Sequence, residues 1–171
     1  MAQTFIHHGS HHSIPPDSPP GLLFLKAILP ALDALGPSPG TPGLANLLAP
    51  DATFTINDGA PVDAAHVVKT LGLRASRLSR FGHNLERAWD VDMGNGSRTV
   101  MYESTSATVF KEDAEGVEVR IKEFNVIELE PSHVGRGRGG LQAVKLTAYL
   151  DASPVSARAE AMQRQAHQSA S

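Results

Sequence analysis

The chain has 171 residues, a length that suits one domain, and such a domain buries roughly 70% of the surface its unfolded chain exposes. A formal charge of -3 excludes a nucleic-acid binder that works by gross electrostatics. With no cysteine, a disulfide framework, a cysteine-based zinc site and a thiol nucleophile are excluded together.

Residues 1–20 carry His7, His8, His11 and His12 among prolines and serines, with little to bury, and read as a mobile arm. An unfixed arm cannot hold coordination geometry, so no metal site is expected there. The same residues lack a basic segment followed by an apolar one, so no signal peptide is expected and the chain reads as cytoplasmic. Residues 21–155 read as a single domain and 156–171 as a tail, partly helical or frayed.

Ser18 before Pro19 is a plausible helix cap. Leu22, Leu25, Ile28, Leu32 and Leu35 then recur at helical spacing, up to a stop at Gly36 and Pro37. This apolar stretch is too short to span a bilayer and holds Lys26, Pro30 and Asp33, so no membrane span is expected. A short helical turn at 44–48 leads to a strand at 52–56 and a turn at Asn57-Asp58-Gly59. A second long helix is predicted from Pro61, with Val62 to Leu78 supplying its buried face and Lys69, Arg74, Arg77 and Arg80 its solvated one.

After that helix the period falls to two. Phe81, His83, Leu85, Trp89 and Val91 share one parity. Met93-Gly94-Asn95-Gly96 closes a hairpin, and strands follow at 98–111, 117–130 and 141–150. In the strand from Val117 the apolar parity changes at Phe124 and again at Ile127, which predicts β-bulges and a curled sheet. The letters G-x-G-x-x-G at 135–140 join two antiparallel strands, so they read as a hairpin loop and not as a dinucleotide site.

The order helix, short helix, strand, long helix and four long strands resembles the nuclear transport factor 2-like superfamily. Its relatives include SnoaL-like polyketide cyclases, ketosteroid isomerase and scytalone dehydratase. Local text supports the resemblance at Leu48-Ala49-Pro50-Asp51-Ala52-Thr53-Phe54, at Phe81-Gly82-His83-Asn84-Leu85 and at Tyr149-Leu150-Asp151-Ala152-Ser153-Pro154, with fungal SnoaL-like proteins most alike. It implies an α+β fold: a cone-shaped, curved antiparallel sheet with long helices on its concave face, the cystatin-like roll.

Within such a cone His83 is the sharpest candidate, an imidazole on the concave parity and able to exchange a proton near neutral pH. The resemblance adds that scytalone dehydratase has a pocket histidine on the corresponding strand; its second histidine has no match in 98–111. A buried core histidine is the other reading. Glu123 and Asn125 lie where a bulge re-aims side chains, so Glu123 faces either His83 or solvent. Of Tyr102 and Glu103 one must face inward, and a buried tyrosine hydroxyl donates to a ligand carbonyl or simply fills the core. Asp58 stands near the position of the ketosteroid isomerase aspartate, or forms the turn beside Gly59. Phe54, Phe81, Trp89 and Tyr149 are further candidates for a ligand-binding wall.

Two functions follow. One is a cofactor-independent isomerase, cyclase or dehydratase acting on a small hydrophobic, polycyclic or polyketide-like molecule, with His83, Glu123 and Tyr102 as catalytic groups. The other is a non-catalytic module that binds a ligand or protein, with Ser104, Thr105, Ser106 and Thr108 in an interface. In either case the resemblance implies a homodimer through the sheet, with neither nucleic acid nor membrane as partner.

Overall fold

The computed structural model describes residues 3–36, 43–132 and 137–169. Its elements in chain order are β1 (Thr4–His8), a 3-10 turn (His11–Ser13), α1 (Pro20–Asp33), α2 (Leu44–Leu47), β2 (Leu48–Ile56) and β3 (Val62–Asp63). There follow α3 (Ala64–Gly72), α4 (Arg74–Arg77), β4 (Leu78–Asp92), β5 (Arg98–Phe110), β6 (Val119–Pro131), β7 (Leu141–Leu150) and α5 (Ser153–Ser169). The strands form one sheet in the order β1-β4-β5-β6-β7-β2-β3. It is α+β as expected, with one difference: β2 runs parallel to β7, so the sheet is mixed. No helix of the described residues is long and apolar enough to cross a membrane.

The expected mobile arm is instead part of the fold. β1 pairs along β4, with Phe5 opposite Asp90 and Ile6 opposite Trp89, and Ile14 is fully buried in the core. A five-residue edge strand and one apolar anchor are easily hidden by a composition of His, Pro and Ser. Over the tail, expected to be partly helical or frayed, α5 runs from Ser153 to Ser169.

α1 starts one residue later than the sequence suggests, and its cap comes from the sheet. Pro19, at the N-cap position, has no side chain able to take an N–H, and the Asp90 carboxylate accepts from Leu22 N–H at 3.2 Å. Leu22, Leu25, Ile28, Leu29 and Leu32 then bury against Leu85, Ala88, Val100, Ile127 and Leu129 of the sheet. The second helix is shorter than its periodicity suggests. Asp63 caps it by accepting from His66 N–H at 2.8 Å, and it breaks after Gly72, so Leu78 begins β4.

Curvature arises at other places than the predicted bulges. β5 and β6 pair without interruption from Arg98↔Leu129 to Thr108↔Val119, so β6 simply alternates. Ile121, Asn125, Ile127 and Leu129 face the helices, and Phe124 and Val126 face outward. The register shifts lie in β4 between Leu78 and Arg80 and between Leu85 and Arg87, in β2 between Leu48 and Thr53, and between β6 and β7 next to Glu128. The extra residue in β4 inverts parity, so Ala88 and Asp90 point inward while Trp89 points outward.

Candidate active site

Three elements converge on His83. α1 ends at Asp33, β4 carries His83, and β6 carries Glu123. Asp33 grips the histidine twice: Oδ2 accepts from the main-chain N–H of His83 at 3.0 Å, and Oδ1 pairs with ring Nδ1. The other ring nitrogen, Nε2, lies 3.3 Å from Glu123 Oε2. Ser106, opposite His83 in the β4–β5 register, donates to Glu123 Oε1, and Asn125 Nδ2 donates to Glu123 Oε2 at 3.5 Å. The imidazole thus spans two carboxylates, and Phe81 meets its ring edge-on at 5.2 Å.

Phe81, His83, Ser106, Glu123 and Asn125 line a cavity of about 510 Å³. Leu32, Phe54, Val67, Ile121, Ile127 and Leu146 give it an apolar wall, joined by Ala152 before α5 and Val155 in its first turn. Tyr102 lines it too, only 2% exposed, and its hydroxyl has no hydrogen-bond partner among the described residues. Arg74 lines it from α4.

Burial opposes the charged form of the His83 ring, yet its hydrogen bonds to Asp33 and then to Glu123 outweigh it and raise the imidazolium pKa to about 9. Glu123 shows the converse balance. Burial pushes its carboxyl up, and bonds from His83, Ser106 and Asn125 bring it below the usual range. Burial raises the Tyr102 phenol, and the charges of Glu123 and Asp33 raise it further, so it stays a proton donor at any physiological pH. At neutral pH the site therefore holds one loaded acid next to one ionised base.

That balance sets a stability profile. Because the folded value of His83 lies above its ordinary 6.5, the native protein binds this proton more tightly than the unfolded chain. The stabilisation is about 3 kcal/mol, complete below pH 6.5 and lost as pH rises through about 9. Urea unfolding between pH 6 and pH 10 is expected to show this fall in wild type and a flatter profile in His83→Gln. Equal slopes in both would contradict it.

Of the predicted site residues the structure brings His83, Glu123, Tyr102, Asn125, Phe54 and Phe81 to the cavity. Three stand elsewhere. Asp58 is exposed in the turn, where the neighbouring Asn57 adopts φ 51° and its side-chain amide bonds the main chain of Leu150. Trp89 is on the outer face because of the β4 bulge, and Tyr149 shares that face, opposite Phe124. Ser104, Ser106 and Thr108, expected in an interface, are buried on the inner face.

The glycine run joins β6 to β7 as expected of a hairpin loop, with Gly137, Gly139 and Gly140 at positive φ, while residues 133–136 lie outside the described residues. Among the described residues no group of three or more His, Cys, Asp or Glu is placed to hold a metal ion. Two site residues escaped the sequence reading. Asp33 counted only as a charge in an apolar stretch, yet a carboxylate at a helix C-terminus opposes the macrodipole, and that cost was a usable signal. Arg74 was placed on the solvated helix face, before the break after Gly72 turned it inward.

Solved structures share the α+β fold. A nuclear transport factor 2-like superfamily protein from Salmonella enterica superposes with TM-score 0.58 at 11% identity, over 74% of this chain and 84% of that one. A type 2 hexachlorocyclohexane dehydrochlorinase, LinA, does so with TM-score 0.53 at 15% identity, over 75% and 80%. Aln2 from Streptomyces gives TM-score 0.56 at 16% identity, over 81% and 93%. No protein-family model matches the sequence, and no match is found among curated proteins. The chain has the nuclear transport factor 2-like fold.

Proposed function

We propose that the cavity is an active site for cofactor-independent proton transfer: the isomerisation, cyclisation or dehydration of a small hydrophobic, polyketide-like or polycyclic molecule. One observation carries this reading, an imidazole held between two carboxylates on the wall of an apolar cavity. The likeness to a dehydrochlorinase is consistent with elimination chemistry.

In this scheme Glu123 takes a proton from a carbon next to a carbonyl, and the His83 Nε2–H protonates the leaving or receiving oxygen. Asp33 holds the ring and its charge. The Tyr102 hydroxyl, aided by the Asn125 amide, donates to the oxygen that gains charge as the enolate forms. Afterwards the proton on Glu123 crosses the 3.3 Å to Nε2 and the site is reset. Incubation with β-tetralone in deuterium oxide, followed by NMR, tests this. Exchange of the α-protons is expected at about 10²-fold or more above buffer; exchange at the buffer rate speaks against the reading.

The outer sheet face supports a homodimer. Phe124 stacks between Trp89 and Tyr149 at ring separations of 6.4 Å, and Ile6 and Tyr149 are 56% and 46% exposed. An apolar face of this kind marks a contact surface. Sedimentation is expected to give a dimer for wild type and a monomer for Phe124→Lys; a monomeric wild type would overturn the assignment.

A further inference from the structure

One charged group in the cavity has no counter-ion in contact. Arg74 has its guanidinium carbon 4.0 Å above the Phe81 ring, and Nη1 donates to the main-chain oxygen of Leu32 at 3.0 Å. Among the described residues no carboxylate forms an ion pair with it; Asp33 and Glu123 act on it only through space. Stacking and the Leu32 bond fix the plane of the guanidinium. With Nη1 committed, the free edge is the one formed by Nε–H and Nη2–H, two parallel donors that match the two oxygens of a carboxylate.

We propose that the substrate carries a single carboxylate, held bidentately by Nε and Nη2 of Arg74, on an otherwise apolar carbon skeleton. The assignment rests on the reading of the cavity as the substrate site. Phe81 explains how an anion is tolerated near two acidic residues. Its ring lies under the guanidinium and edge-on to His83, so it separates the anchor from the acid–base cluster. The carboxylate sits at one end and the reacting carbon at the other. A dianion is disfavoured, because among the described residues Arg74 is the one lysine or arginine lining the cavity, while the imidazolium of His83 is engaged by Asp33 and Glu123. The wall of Leu32, Phe54, Val67 and Leu146 suits the skeleton.

Calorimetry at pH 7 with naphthoic acid and its methyl ester tests the assignment. Wild type is expected to bind the acid at least about tenfold more tightly than the ester. Arg74→Gln is expected to bind the two equally, and Arg74→Lys to keep part of the preference. Ester binding in each variant serves as the control for an intact cavity. Equal binding by wild type, a preference that survives in Arg74→Gln, or no binding of the acid at millimolar concentration would each overturn the proposal. Deuterium exchange into β-tetralone needs no carboxylate, so it reports on the proton-transfer reading separately. Lost discrimination with exchange intact removes the anchor alone; discrimination without exchange supports the anchor and removes the proton-transfer reading.

Discussion

Replacing His83 with glutamine is expected to leave a folded protein whose exchange of β-tetralone protons falls by about 10²–10⁴-fold, the usual contribution of a positioned acid or base. Glutamine keeps a polar group of similar reach between Asp33 and Glu123, but it can neither carry nor donate the proton at issue. The pH profile separates this role from packing. With Glu123 as base and the imidazolium as acid, activity falls below the pH at which Glu123 is protonated and again above about pH 9. Asp33→Asn removes the carboxylate that accepts from Nδ1 of the imidazolium and is expected to move the alkaline limb to lower pH, with the fold retained. A rate that climbs through pH 9 would make neutral imidazole the base and overturn the assigned roles. Unchanged exchange in His83→Gln would remove the histidine from the chemistry altogether.

The parts of this site that could be read in the sequence are those set by strand alternation over short distances. His83 lies two residues after Phe81, and both reach the cavity, since no register shift separates them. Glu123 and Asn125 share a face for the same reason. Trp89 was lost three residues past the shift between Leu85 and Arg87, which leaves no mark in the hydrophobic pattern because Leu85, Trp89 and Val91 are all apolar. Phe124 and Val126 misled in the opposite sense. Their parity signalled a bulge, yet they are apolar residues on an outward face, as expected of a sheet with two apolar sides. Asp33 could not be paired with His83 by any local rule, for fifty residues separate them and only the docking of α1 across β4 joins them.

The same docking predicts the largest loss of stability. Asp90→Ala is expected to destabilise the protein by about 3–5 kcal/mol, a large share of the 5–15 kcal/mol typical of a whole domain. Asp90 is fully buried and serves two partners at once. Oδ1 accepts from Arg98 Nε at 2.7 Å, and Oδ2 accepts from Leu22 N–H at the start of α1. Its removal strands a buried guanidinium whose Nη2 already lacks a partner among the described residues, leaving only the Asp92 contact at 3.0 Å. It also uncaps the helix that presents Asp33 to His83, so activity falls together with stability.

Gly21 shows how tight the fit is. A Cβ there would collide with the Asp90 carboxylate, so Gly21→Ala is expected to destabilise even though alanine favours helices. Urea denaturation of Asp90→Ala, Arg98→Met and the double variant closes a cycle. The double variant is expected to recover most of the loss, because it no longer buries a lone charge, but not the portion of about 1 kcal/mol due to the missing cap. A cost below that figure for Asp90→Ala alone would mean that water or a neighbouring group replaces the carboxylate, and that α1 is held by its apolar face only.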